Sequence, residues 1–351
     1  MALNKHTNII LLGLGKVGRE LVSQVLASPH DLKFTALADS RGMIGAADGL
    51  TTTQIQTAIT TKAAGNSLAD LPESLSASNL SAFLQSGSIL VDTSASTTTT
   101  PLLKQALAKG CGVVLANKNP LAGAWAEAED LFTSPNLRCE STVGAGLPVM
   151  STLRDLLATG DTVTTIKGCL SGTLGFLCTR LEQGAAYSAA VTEAKELGYT
   201  EPDPRQDLSG LDVARKAVIL ARTAGIALEI ADLPIEKLYS DALAEGTLED
   251  FLTNMHTLDD AFNQRLQTAL AEGKVPRYVA RISAAGAVVG LEMVAKSSAL
   301  GALQGPDNYI AFTTHRYGQN PLVIAGPGAG VPVTAAGVFS DILHLTAQMN
   351  N

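Results

Sequence analysis

One stretch near the start constrains this chain more than any other. Asn8 to Leu12 is a short apolar run suited to a strand buried on both faces of a parallel sheet. Gly13, Gly15 and Gly18 follow at once in the hexapeptide GLGKVG. Residues 19–28 then carry apolar side chains at helical spacing and stop before Pro29. Phe34 to Ala38 reads as a second strand ending at Asp39. In such a strand–turn–helix, Gly13 permits the tight turn and Gly15 lets the backbone approach a pyrophosphate. Gly18 lets helix and strand pack closely, with the phosphates at the positive end of the helix. The pattern predicts a dinucleotide site.

The alternation continues. Leu80 to Gln85 reads as a helix, Ser88 to Asp92 as a strand, Leu102 to Lys109 as a helix and Gly112 to Ala116 as a strand. That order implies a parallel doubly wound sheet of the Rossmann type. Residues 51–79, rich in Thr, Ser and Ala, read as helix and loop. After residue 140 the texture changes. Helices are expected at 149–157, 185–197, 208–224, 234–271 and 334–348, and strands at 163–170, 277–285, 289–296 and 308–313. The expected architecture is α/β: a doubly wound domain over 1–142, completed by 315–351, and an α+β catalytic and dimerisation domain over 143–314.

Composition excludes several classes. Of 351 residues, 46% are hydrophobic and 17% charged, too apolar for a disordered chain. The net charge is −8 and no Lys/Arg cluster stands out, which argues against nucleic acid. No stretch reaches the roughly 18 apolar residues of a membrane span. Cys111, Cys139, Cys169 and Cys178 are widely spaced, a pattern for buried reduced thiols rather than disulfides or a metal site. The N-terminal apolar run leads into glycines and not into a cleavage site, so a cytoplasmic protein is expected.

Other motifs sit where ligands of open α/β sheets bind, beyond the carboxyl ends of strands. Asp39 there can take the ribose hydroxyls of NAD, or Arg41 can hold the 2′-phosphate of NADP. Asp92, Thr93 and Ser94 follow one strand, placing Thr93 near a nicotinamide; Asn117 and Lys118 follow another, with Lys118 a candidate substrate cation. Glu140 to Pro148 is broken by glycines. Carbonyls plus one carboxylate suit a hard cation, whereas spacing alone favours a hinge. The densest cluster runs from Leu197 to Lys216. Glu201, Asp203, Asp207 and Asp212 face Arg205, Arg215 and Lys216, two prolines hold the loop extended, and Ser209 is placed to cap the next helix. Asp212 and Lys216 share a helix face as i and i+4, either a solvated pair or, if buried, a general acid/base. Ser171 to Gly175 can hold a carboxylate or hydroxyl, or simply turn a strand into a helix. His315 stands alone and reads as structural.

Together these pieces resemble homoserine dehydrogenase nearly end to end. The resemblance rests on GLGKVG at 13–18, DTSAS at 92–96, ANKNP at 116–120 and ESTVGAGLPV at 140–149. It extends through SGTLGF at 171–176, ELGYTEPDPRQDLSGLDVARK at 196–216 and GPGAGVPVTAAGVFSDI at 326–342. It implies NAD(P)-linked interconversion of L-homoserine and L-aspartate 4-semialdehyde, a step toward threonine and methionine. It implies Lys216, and with it Lys118, as proton donor or acceptor. Substrate would lie on Glu201 and Asp212, with Asp207, Thr173 and Tyr199 close by. The implied cofactor contacts are Gly13, Gly15, Val17, Gly18, Asp39, Arg41, Thr93, Ser94, Lys118 and Gly330. A sodium or potassium ion would be held by Glu140, Val143, Ala145 and Leu147, three of them through carbonyls, which replaces the plain hinge. A homodimer is implied, with the apolar sheet of the second domain as interface.

Two departures stand out. No aspartokinase portion precedes residue 1 and no regulatory domain follows residue 351, so threonine feedback through such a domain is not expected. Gln206 and Ser209 replace residues often Asp and Asn in this loop. An aspartate-semialdehyde enzyme on the same plan would want a nucleophilic cysteine beside a base, and none of the four has one. A non-catalytic NAD(P) sensor leaves the carboxylate–lysine cluster unexplained.

Overall fold

The computed structural model describes residues 6–350. The chain divides into two compact units, one reaching Pro148 and resuming at Gly330, the other Val149–Ala329. Both expected boundaries therefore move. Residues 143–148 stay with the first unit because the C-terminal helix Val331–Asn350 lies on them: a Cβ on Gly146 would meet the Val333 carbonyl at 2.3 Å. The return comes at Gly330 and not near 315, because Leu322–Pro327 pairs into the second unit's sheet.

The first unit holds β1 (Thr7–Leu12), β2 (Leu32–Ala38), β3 (Gly42–Gly45), β4 (Leu75–Ser76), β5 (Ile89–Asp92), β6 (Gly112–Leu115) and β7 (Leu137–Arg138), in the order β4-β3-β2-β1-β5-β6-β7. Pairs from β2 to β7 are parallel, while β3 and β4 are antiparallel edge strands that apolar periodicity did not signal. Residues 51–79 supply the helix Thr52–Ala63 as well as β4, and Leu80 falls in a 3-10 turn, Ala77–Phe83, instead of an α-helix. Ile9, Ile10 and Leu11 are fully buried, as a central parallel strand requires. Ala335, Val338, Ile342 and Leu345 of the C-terminal helix share the core of Ile9, Leu11, Val91 and Val114. The first unit is thus built from both ends of the described chain.

The second unit is an antiparallel sheet of β8 (Val163–Cys169), β9 (Lys274–Ser283), β10 (Gly286–Ala295), β11 (Asp307–Thr314) and β12 (Leu322–Pro327), ordered β10-β9-β8-β11-β12. The helices Gly172–Glu182, Leu211–Thr223 and Asp259–Ala271 pack against β9. The long helix expected over 234–271 is broken. Gly246 takes φ 98°, and Thr247 caps a new helix, Leu248–Asn254, by a capping box. Arg277 is buried within this unit. Its guanidinium donates to the Glu182 carboxylate at 2.9 Å and to the carbonyls of Pro276, Leu300, Gly301 and Leu303.

Among the described residues no helix is long and apolar enough to cross a membrane. All four cysteines are buried and free of disulfides, and burial pushes the Cys178 thiol up to about 12.

Candidate active site

At the carboxyl ends of β1 and β5 the glycine turn takes the geometry its spacing predicts. A Cβ on Gly13, at φ 99°, would lie 2.5 Å from the Ser94 amide, and one on Gly18 would lie 2.1 Å from the Gly13 carbonyl. Beside Gly15 a Cβ would meet nothing within 4 Å. The helix Lys16–Ala27 starts there without a side-chain cap, so its first amides remain for an anion. Val17, in its first turn, packs against the core. Thr93 donates from Oγ1 to the Gly13 carbonyl at 2.6 Å, tying the loop after β5 to the glycine turn.

Asp92 organises that loop, although its role was not read from the sequence. It is fully buried and accepts from the Ser94 amide (2.9 Å) and hydroxyl (2.6 Å), from Thr99 Oγ1 (2.8 Å) and from Asn117 Nδ2 (3.0 Å). Asn117 also donates to the Ser96 carbonyl at 2.8 Å. The loops after β5 and β6 become one piece, and half-buried Lys118 follows Asn117 directly. The available signal was an acid at the end of a strand buried on both faces, where a carboxylate must find donors.

Asp39 does not stand as expected. Its buried carboxylate is taken up by five donors of its own chain: the amides of Arg41, Gly42 and Leu68, the Ser67 hydroxyl, and Lys62 Nζ at 2.7 Å. Burial alone would raise its pKa; Lys62 and the three amides outweigh it and hold the carboxyl well below the usual range. A carboxylate has about four lone-pair sites, so these donors leave none for a ribose diol. Arg41, two residues on, is exposed.

The loop Glu140–Pro148 is packed, not free. The Glu140 amide donates to Asp341 Oδ2 at 2.7 Å and Ser141 Oγ to the Thr334 carbonyl at 2.8 Å. The Glu140 carboxylate and Val143 are buried. Gly144 (φ 81°) and Ala145 (φ 56°) are both left-handed, and Ala145 is the one non-glycine residue with positive φ among those described. Such a curl, rare for alanine, is kept only where the surroundings impose it. A Cβ on Gly337 would sit 2.5 Å from Ser141 Oγ and 3.0 Å from the Ala145 carbonyl, so the C-terminal helix imposes it here. Gly330 (φ 127°) opens that helix, its carbonyl accepting from Thr334.

In the second unit the dense charged cluster folds back on itself. Lys216 is buried on the helix Leu211–Thr223, and its Nζ lies 2.5 Å from the Leu170 carbonyl and 2.8 Å from Asp212 Oδ2. Thr173 Oγ1 donates to the Tyr199 carbonyl at 2.5 Å and approaches Asp207 Oδ1 at 3.1 Å. Asp207 Oδ2 accepts from the Glu201 amide at 2.8 Å, leaving the Glu201 carboxylate exposed. Burial raises the Asp207 pKa, Glu201 and Asp212 adding to it against the two hydrogen bonds. Tyr199 stacks on Phe176 with centroids 4.7 Å apart. Lys216, Asp212, Asp207, Thr173, Tyr199 and Glu201 are thus brought together. Asp203 and Arg205 pair with each other instead, at 2.7 Å. Ser209 is not the N-cap. That place is taken by Gly210, left-handed at φ 71°, where a Cβ would lie 1.9 Å from the Tyr278 hydroxyl. The Leu170 carbonyl, a backbone atom, had no sequence signal.

A family model for homoserine dehydrogenase matches residues 148–343, and one for the homoserine dehydrogenase NAD-binding domain matches residues 13–136. The chain belongs to the homoserine dehydrogenase family. A homoserine dehydrogenase of Emericella nidulans is 38% identical over 97% of this chain and 98% of that protein. A chloroplastic bifunctional aspartokinase/homoserine dehydrogenase of Zea mays is 37% identical over 97% of this chain, which spans 38% of that longer protein. A solved Candida auris protein of unknown function superposes with a TM-score of 0.88, at 31% identity over 98% of this chain and 99% of that one. The reaction that names this family is the NAD(P)-linked interconversion of L-homoserine and L-aspartate 4-semialdehyde.

Proposed function

We propose that Lys216 moves the proton in this reaction. The observation that carries this is its buried ammonium, fixed between the Leu170 carbonyl and the Asp212 carboxylate. Bound NAD(P) supplies or accepts the hydride. In the reducing direction Lys216 gives a proton to the aldehyde oxygen as hydride arrives at its carbon; in oxidation it takes that proton back from the hydroxyl. Glu201, Asp207 and Asp212 form an acidic nest for the substrate's α-ammonium, with Thr173 and Tyr199 shaping its edge. Lys118, next in sequence to Asn117 of the Asp92 network, is the second candidate for that proton.

The cofactor lies on Gly13, Gly15, Val17 and Gly18, with Thr93, Ser94 and Gly330 as further contacts. Saturation of Asp39 favours NADP, because Arg41 and Lys62 are then the charged groups at the end of β2. Arg41→Ala should raise KM for NADP about 10- to 100-fold, the worth of a charge-assisted hydrogen bond. KM for NAD should stay unchanged; equal effects on both would reject this preference.

The donor set of the loop fits a hard monovalent cation: the Glu140 carboxylate with carbonyls of Val143, Ala145 and Leu147 on a curled backbone. On the second sheet, Val288, Arg281, Lys167, Ala311 and Val323 lie directly opposite one another across all five strands. Val288 and Val323 are exposed, and this face supports a homodimer. Buried reduced thiols support a cytoplasmic setting.

The test is absorbance at the reduced-nicotinamide band with L-homoserine and NADP or NAD, in potassium, sodium and tetramethylammonium buffers. Turnover with NADP, faster with a small cation, is expected. No signal with either cofactor would overturn the reading.

A further inference from the structure

Tyr199 is a large ring left 41% exposed within the charged run of the second unit. Its segment has little backbone structure of its own. The helix Tyr187–Glu196 ends before it, and the next helix opens only at Arg205. Gly198 between them is left-handed at φ 74°, with open space where a Cβ would stand. The Tyr199 amide closes on the Ala194 carbonyl at 2.9 Å. Beyond that bond, residues 199–201 are placed by side chains reaching them from other elements.

Two of those side chains stand on one helix. Thr173 and Phe176 are three residues apart in Gly172–Glu182, hence neighbours on one face. Thr173 holds the Tyr199 carbonyl, and half-buried Phe176 holds its ring, the two rings 29° from parallel. One residue is thus fixed at its backbone and at its side chain. Asp207 then holds the Glu201 amide, two residues on. The helix is itself firmly seated. Ser171 caps it, Oγ accepting from the Leu174 amide at 3.3 Å, and Thr179 Oγ1 accepts from the Gly305 amide at 2.9 Å. A Cβ on Gly172 would meet the Pro306 carbonyl at 3.1 Å, and one on Gly175 the Gly305 carbonyl at 2.8 Å.

We propose that Phe176 is a positioning residue for substrate binding. Its ring is the platform on which Tyr199 lies, and through Tyr199 it sets where the Glu201 carboxylate stands. The Thr173 hydrogen bond fixes one point, about which the segment still turns; the stack supplies a second. Phe176 acts without touching homoserine. The inference rests on the reading that Glu201, Asp207 and Asp212 hold the substrate's α-ammonium.

Phe176→Leu keeps an apolar helix former and removes the ring. KM for homoserine should rise about three- to tenfold, the fold-change that one aromatic pair supplies. The kcat value, and Kd for NADPH from nicotinamide fluorescence, should stay at wild-type values. Phe176→Tyr keeps the ring and should restore KM. Tyr199→Leu loses the same stack from the exposed side and should raise KM at least as much, and the double variant should be no worse than Tyr199→Leu, because the two residues act as one. A wild-type KM in Phe176→Leu, a Phe176→Tyr enzyme as impaired as Phe176→Leu, or additive losses in the double variant overturns the proposal. If Phe176→Leu does not fold, a wild-type KM in Tyr199→Leu rejects it. Glu201→Gln tells the proposal from the reading beneath it. A raised KM there beside a wild-type KM in Phe176→Leu rejects the proposal alone, whereas an unchanged KM in Glu201→Gln defeats the substrate reading and the proposal with it.

Discussion

Lys216→Met should lower kcat for homoserine oxidation by about 10²- to 10⁴-fold, the range supplied by a positioned general acid or base. Methionine keeps the length and apolar stem of the side chain, so the helix Leu211–Thr223 stays packed and the loss is chemical. NADPH affinity by fluorescence should be unchanged, which separates a missing proton donor from a damaged fold. The lysine is held from two sides, by Leu170 and Asp212. Asp212→Asn should therefore lose less than Lys216→Met, because the carbonyl still orients the ammonium. Lys118→Met measured beside them tells which lysine carries the proton. A Lys216→Met enzyme with wild-type kcat would reject the assignment.

Arg277→Met should cost about 3–5 kcal/mol of stability, because it leaves the Glu182 carboxylate buried without its main partner. In a unit of this size that lowers the thermal midpoint by roughly 10 °C, at about 2–4 °C per kcal/mol. Lys296 Nζ still reaches Glu182 at 3.1 Å, but its side chain is mostly in water and replaces little. The double variant Arg277→Met with Glu182→Met should recover much of the loss, since both charges then leave the interior together. The pH dependence has a definite sign. Burial alone would raise the Glu182 pKa, yet hydrogen bonds from Arg277 and Lys296 hold it below the ordinary value. Its contribution is complete above the ordinary glutamate pKa of about 4.3 and is lost as pH falls through the lowered folded value. Without Arg277 that pKa rises, so acid unfolding should begin at higher pH. Circular dichroism melts between about pH 3 and pH 7, spanning the range where glutamate titrates, check both points. An unchanged acid midpoint would mean Lys296 alone holds the carboxylate.

How much was legible depended on the range of the interaction responsible. The glycine turn was legible because a strand, a turn and a helix are decided within about thirty residues by periodicity and by sites that admit only glycine. In the run from Leu197 to Lys216 the i,i+4 pair of Asp212 and Lys216 was legible for the same reason, because it acts locally, while the cap at Gly210 was not. Expectations failed where partners came from far along the chain. Asp39 sits at the end of β2 as a ribose ligand would, and only Lys62 and Ser67, delivered by a separate helix and turn, show that its oxygens are spent. β3 and β4 are too short for periodicity and exist because the edge of the sheet offers them partners.

By itself, then, the sequence determined the glycine turn, the two kinds of sheet and the local course of the charged run from Leu197 to Lys216. Each follows from backbone sterics and hydrophobic spacing over a few turns of chain. Tertiary structure alone decided what those residues face. The Leu170 carbonyl behind Lys216 and the C-terminal helix that curls Ala145 are both contacts between distant segments. No local pattern encodes them, because a buried polar group takes whichever partner the packing brings within hydrogen-bond reach.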